Sequence, residues 1–213
     1  PDEANPALGV RGNRIAADHP EIVRGQLDAI ARAATETGSR PWVMAPMIAT
    51  AAEAAQFAGM VRERGLTAGV MIEIPAAAIL ARAILAEVDF VSIGTNDLTQ
   101  YTMAADRMSA ELAELTDPWQ PAVLALIAQV ADAGAELNKP VGVCGEAAAD
   151  PALACVLVGL GVTSLSAAPA ATPAVGAKLS TVTLDQCRAA AAAVLQTTSP
   201  TLARRAAAEH LDD

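Results

Sequence analysis

The stretch Val91-Ser-Ile-Gly-Thr-Asn-Asp-Leu-Thr-Gln-Tyr-Thr102 (VSIGTNDLTQYT) opens as an apolar strand and then sets Gly94, Thr95, Asn96, Asp97, Thr99 and Gln100 almost side by side. A surface turn needs one or two such residues. What satisfies the others decides how the chain is read.

On both sides of this stretch, helical and strand patterns alternate. Upstream, Asp18 can cap a helix over Glu21–Thr37 that stops at Gly38, with Ile22, Val23, Leu27, Ile30 and Ala34 as its apolar stripe. A strand over Trp42–Met47 follows, and Thr50 and Glu53 have the spacing of a capping box for a helix ending near Gly65. Next come a strand at Ala68–Ile72, a helix from about Ala76 to Ala86, and the strand Asp89–Ile93. Downstream, the pattern predicts a helix at Pro121–Leu137, a strand at Pro140–Cys144, a helix at Pro151–Val158 capped by Asp150, and a last strand at Ser164–Ser166. The remainder is Ala-rich and helical. There Thr183 and Gln186 form a second capping-box pair, and Ser199-Pro200 opens a final helix.

Strands separated by helices imply a parallel sheet with right-handed crossovers. An open doubly wound sheet would gather its ligand residues at one switch point. Here polar residues recur at the ends of successive strands: Glu73, then Asn96 and Asp97, then Cys144 to Glu146. That distribution is the barrel pattern, in which several strand ends supply one site. The predicted fold is α/β of the (β/α)8 TIM-barrel type, with only about the last five βα units present. Residues 1–213 form one domain, with 167–213 as its helical tail.

The 213 residues are 53% hydrophobic and only 2% aromatic, so the core is built from Ala, Val, Leu and Ile. The net charge of −10 argues against a nucleic-acid partner. No apolar run reaches the roughly 18 residues of a membrane helix, and no basic start precedes an apolar core as in a secretory signal. Cys144, Cys155 and Cys187 are an odd number without CxxC spacing, as expected of a reduced, cytoplasmic protein. The first residue is Pro1 rather than Met, as expected of a fragment or processed product.

Glu73 interrupts an apolar strand in VMIEIP, where a carboxylate needs a partner. Asp97 stands at the corresponding place after the next strand. Two hard oxygen ligands with no histidine nearby suit Mg2+ or Mn2+. The same residues also read as a helix-capping Asp97 and an ion-paired Glu73. Arg11 in GVRGNRI and Arg107 in AADRMS can hold phosphate or carboxylate, or form surface ion pairs. Cys144 in GVCGEAAAD can exchange a proton at a barrel mouth, or simply pack as a small hydrophobe. Cys155 and Cys187 read as packing.

Taken in order, NPALGVRGNRI, VMAPMI, GVMIEIPAAAILA, EVDFVSIGTNDLTQYTMAADR and GVCGEAAAD resemble the phosphoenolpyruvate-binding C-terminal domain of Enzyme I of the bacterial sugar phosphotransferase system. The resemblance implies that Glu73 and Asp97 coordinate Mg2+, that Asn96, Asp97, Arg11 and Arg107 hold the substrate, and that Cys144 protonates the enolate to give pyruvate. It also implies a phosphoryl-accepting histidine on a separate N-terminal domain, a small phosphocarrier protein as the next acceptor, and a homodimer. Neither His19 nor His210 lies in a segment resembling that of the accepting histidine.

Departures from the family pattern are local. Trp42, with Arg40 two residues earlier, stands where many relatives have an arginine, Asp106-Arg107-Met108-Ser109 replaces Asp-Arg-Gly-Asn, and Ala149 replaces a glycine. A segment carrying a further substrate-binding arginine, in an Arg-Thr-Glu-Phe motif, has no counterpart here. Other readings are a pyruvate phosphate dikinase or phosphoenolpyruvate synthase, a non-catalytic binding or dimerisation module covering an open barrel interior, and a metal-dependent enolate enzyme of the citrate-lyase or aldolase type.

Overall fold

Helix ends in this chain are set by local chemistry. The computed structural model describes residues Glu3–Asp212. Helix α1 (Pro20–Thr37) starts on a proline and stops at Gly38, whose φ of 68° lies in the left-handed region. Its N-cap is His19 rather than Asp18, which instead closes the preceding 3-10 turn, Gly12–Ala17. Strand β1 (Trp42–Ala45) leads to α2 (Ala51–Arg62), and the reciprocal Thr50–Glu53 capping box is formed.

Strand β2 (Thr67–Ile72) is followed by two short helices, α3 (Pro75–Ile79) and α4 (Ala81–Glu87), where the sequence pattern predicts one. The break falls at Leu80, with ψ of 18°. The Ile79 carbonyl accepts a hydrogen bond from Gln129 Nε2 at 3.0 Å, so a side chain fifty residues away competes with the helical ladder. After β3 (Phe90–Gly94) the polar stretch is itself a helix, α5 (Thr95–Met103). The chain then runs through α6 (Pro121–Leu137), β4 (Val141–Cys144), α7 (Pro151–Gly159), β5 (Ser164–Ser166) and the terminal helices α8 (Thr172–Leu179), α9 (Leu184–Val194) and α10 (Pro200–Leu211).

All five strands are parallel and lie in the order β1-β2-β3-β4-β5. An order that never reverses has no switch point; it is the wall of a (β/α)8 barrel, five strands of which are present. One face of this wall carries Ala45, Ala68, Val70, Ile72, Val91, Ile93, Val141 and Val143, all buried against Phe57, Val61, Ile84, Leu85, Leu124 and Ile127 of the helices. The alternate positions face what would be the barrel interior. Trp42 and Met44 there are 57% and 42% exposed. Trp42 leans on Phe90 with ring centroids 4.7 Å apart, across Gly69, where a Cβ would lie 2.3 Å from the Phe90 ring.

The tail is fastened at α7. Asp150 caps that helix by accepting from Ala152 N–H (2.9 Å) and Leu153 N–H (3.1 Å), and its other oxygen accepts from Trp119 Nε1 at 2.8 Å. Arg204 of α10 lies over the Trp119 ring and forks onto Asp117 at 2.8 and 2.9 Å. Asp150→Ala removes a helix cap and strands a buried indole donor, so it is expected to cost about 2–3 kcal/mol. Chemical denaturation checks this, and a loss below about 0.5 kcal/mol would refute it.

Candidate active site

Three successive strand ends converge through the register. The pairing of Ile72 with Ile93 and of Gly94 with Cys144, carried one residue further along β2, aligns Glu73, Gly94 and Cys144. Gly94 keeps the middle of this row clear, since a Cβ there would lie 2.7 Å from Glu73 Oε2.

Glu73 is 4% exposed and accepts the Met47 backbone N–H at 2.7 Å. Met47 has a φ of 62°, a conformation costly for a side chain larger than glycine, and it presents its amide to the carboxylate. Gly12, at φ 58°, lies so close that a Cβ would come 2.8 Å from the Met47 side chain. The segment carrying Arg11 is thereby seated on the residue that holds Glu73, and Asn13 N–H donates to Pro46 O at 3.2 Å.

Most of the polar residues of α5 are structural. Thr95 Oγ1 donates to the Cys144 carbonyl at 3.0 Å, Thr99 Oγ1 to the Thr95 carbonyl at 2.7 Å, and Gln100 Oε1 accepts the Arg107 N–H at 3.1 Å. Asn96 Oδ1 accepts the Glu146 N–H at 3.2 Å, which leaves its Nδ2 as a donor. These bonds close the loops after β3 and β4. Gly145, at φ 105°, fits beneath them because a Cβ would meet Thr95 Oγ1 at 2.7 Å.

Asp97 differs from its neighbours. Its Oδ1 is buried and accepts no hydrogen bond among the described residues. The Arg11 guanidinium approaches it at 3.5 Å, an ion-pair distance without hydrogen-bond geometry. Burial pushes the Glu73 carboxyl above its ordinary 4.5; the Met47 amide opposes this, the Asp97 charge adds to it, and Arg11 and Arg107 pull it back. Glu73 therefore feels Asp97, Arg11 and Arg107 together. Among the described residues no group of three or more His, Cys, Asp and Glu gathers. Two carboxylates, one with a bare buried oxygen, suit a cation that takes few protein ligands and completes its shell with water and substrate oxygens, as Mg2+ does.

Arg107 is exposed at the rim, and Met108 beside it is 84% exposed, its N–H bonded to Asp106 Oδ1. Cys144 is half-buried and its Sγ donates to the Ile93 carbonyl at 3.5 Å. Cys155 and Cys187 are buried in the helical layer, away from the strand ends, and burial pushes the Cys155 thiol up to about 11. The structural role of Met47 leaves no trace in the sequence, because an amide donor belongs to every non-proline residue.

The raised Glu73 value has a measurable consequence. Between 4.5 and its folded value, the folded chain keeps a proton that the unfolded chain releases. Stability therefore falls as pH rises through that window and stays reduced above it. Glu73→Gln retains an acceptor for Met47 and removes the buried charge. It is expected to raise Tm at neutral pH, but not near pH 4, where both side chains are neutral. An unchanged or lower Tm at neutral pH would contradict this account.

Most of the chain is similar to known proteins. Residues 1–184 match the family model described as PEP-utilising enzyme, PEP-binding domain, where PEP is phosphoenolpyruvate. The chain is 56% identical over 208 residues to a phosphoenolpyruvate-protein phosphotransferase of Streptomyces coelicolor, covering 97% of this chain and 37% of that protein. It is 41% identical over 176 residues to a probable phosphoenolpyruvate synthase of Pyrococcus abyssi, covering 79% of this chain and 22% of that protein. The chain thus spans little more than a third of the longer-matched relative. A citrate lyase structure from Burkholderia xenovorans superposes with a TM-score of 0.55 over 89% of this chain and 67% of that one, at 16% identity, a likeness of fold alone. The family match and the barrel-wall order agree: the chain belongs to the PEP-utilising enzymes and corresponds to their PEP-binding domain.

Proposed function

We propose that this chain is the phosphoenolpyruvate-binding part of a phosphoenolpyruvate-protein phosphotransferase, which passes the phosphoryl group to a histidine on a separate domain and releases pyruvate. The observation that carries the reading is the buried Glu73 with the half-buried Asp97 acting on it, Asp97 Oδ1 bare among the described residues, Arg11 3.5 Å from that oxygen, and the Arg107 charge felt by Glu73. Residues 1–213 would form one barrel domain with 167–213 as its helical tail, working in the cytoplasm as a homodimer, with a small phosphocarrier protein as the next acceptor.

Glu73 and Asp97 would hold Mg2+, which when bound supplies charge neutralisation for the phosphate and the enolate oxygen. Arg11, Arg107 and the Asn96 Nδ2 donor would bind the phosphate and carboxylate, so that transfer is mainly positioning and electrostatics. The Cys144 thiol, in the same row as Glu73 across Gly94, would give its proton to the methylene carbon. The high identity to the Streptomyces phosphotransferase supports this reading. The similarity to phosphoenolpyruvate synthases supports a second one, in which the phosphoryl exchange involves ATP.

The test is calorimetric titration of phosphoenolpyruvate with and without Mg2+, paired with deuterium exchange into the methyl group of pyruvate in heavy water. Mg2+-dependent binding, and an exchange lost in Cys144→Ala while binding persists, are expected. Binding without Mg2+, or exchange unaffected by Cys144→Ala, would overturn the assigned roles.

A further inference from the structure

Tyr101 is the single tyrosine of the chain and has no role in the chemistry above. It stands four residues after Asp97 on α5, so both side chains leave the same face of the helix. Its hydroxyl accepts a hydrogen bond from Arg11 Nη1 at 3.2 Å and donates to the carbonyl of Ala7. The other nitrogen of the same guanidinium, Nη2, is the one 3.5 Å from Asp97 Oδ1. One helix face therefore grips Arg11 at two points, one neutral and one charged.

The segment bearing Arg11 needs such a grip. It consists of two 3-10 turns, Pro6–Leu8 and Gly12–Ala17, and neither contributes a buried residue. Apolar burial does not fix it, and Leu8 and Val10 are 68% and 49% exposed. Among the described residues its attachments to the strand ends and α5 are the Asn13–Pro46 backbone bond, the approach of Gly12 to Met47, the Arg11–Asp97 ion pair and the Tyr101 hydroxyl. A long arginine side chain on a thinly anchored segment would sample many rotamers and lose that freedom on binding an anion.

We infer that Tyr101 is a positioning residue for Arg11: its hydroxyl presets the guanidinium beside Asp97 and so sets affinity for the anionic substrate, not for the cation. This rests on the proposed function, in which Arg11 binds the phosphate or carboxylate. Tyr101 touches no reacting atom and acts through Arg11 alone.

The experiment is a double-mutant cycle on the whole chain, titrating phosphoenolpyruvate in the presence of Mg2+ for wild type, Tyr101→Phe, Arg11→Ala and the double variant. Tyr101→Phe removes one hydroxyl and keeps the ring. It is expected to weaken substrate binding about fivefold to tenfold, to leave binding of Mg2+ alone unchanged, and to add nothing once Arg11 is alanine. Losses that multiply in the double variant, or an equal loss of Mg2+ affinity, would overturn the inference. A folded wild type that binds no phosphoenolpyruvate would instead remove the proposed function. The Tyr101 link is then judged without substrate, by NMR of the arginine side chains. Slow rotation of the Arg11 guanidinium that becomes fast in Tyr101→Phe supports it, and identical spectra overturn it.

Discussion

Asp97→Asn is expected to abolish Mg2+-dependent phosphoenolpyruvate binding, by at least about 100-fold, while the chain stays fully folded. The two halves of this expectation have separate causes. A cation held by two protein carboxylates loses half its charged ligands when one becomes an amide. The fold loses almost nothing, because Asp97 Oδ1 accepts no hydrogen bond among the described residues, its ion pair at 3.5 Å is with a partly exposed Arg11, and its charge adds to the cost of burying Glu73. Removing one carboxylate also relieves the repulsion felt by Glu73, whose raised pKa should move down toward 4.5. Calorimetry measures the binding, and a pH series of melting curves on Asp97→Asn measures the relief. Retained Mg2+ dependence in this variant would mean that the buried oxygen serves another partner.

The largest expected loss of stability lies far from the site. Gly159 ends α7 where it crosses α9, and a Cβ there would stand 2.0 Å from the Cys187 carbonyl oxygen and 2.9 Å from the Arg188 nitrogen. Both obstacles are backbone, so α9 as a whole must retreat. Gly159→Ala is expected to cost about 3 kcal/mol, a fall in Tm of roughly 6–12 °C for a chain of this size. Gly176 of α8 supplies the control, since a Cβ there meets nothing within 4 Å. Gly176→Ala should stabilise by about 0.5–1 kcal/mol through helix propensity. Equal effects from the two substitutions would show that the close approach of α7 to α9 is not what holds the tail.

Helix starts were legible wherever a short polar side chain could reach back to its own amides. Thr50 with Glu53, Thr183 with Gln186, Asp150 and Ser199 all cap as their spacing predicts. Gly38 likewise stops α1 through a positive φ. Where a distant group intervened, local reading erred. The helix after β2 is interrupted at Leu80, next to the Ile79 carbonyl that accepts a hydrogen bond from Gln129 Nε2. In the VSIGTNDLTQYT stretch the reason for so many polar residues was not legible locally: Thr95, Asn96 Oδ1 and Gln100 bond the loops at Cys144, Glu146 and Arg107, and Asn96 Nδ2 stays a donor.

By itself, then, the amino-acid order determined the succession of strands and helices, the apolar character of the strands, and which side chains fall at strand ends. These follow from short-range periodicity and from caps within a few residues. Tertiary structure alone decided that Met47 turns its amide onto Glu73, and that Asp97 Oδ1, unlike the side chains of Thr95, Asn96 and Gln100, finds no hydrogen-bond partner among the described residues. Each of these depends on backbone groups far apart in the chain. Every residue carries such groups, so side-chain identity does not announce them.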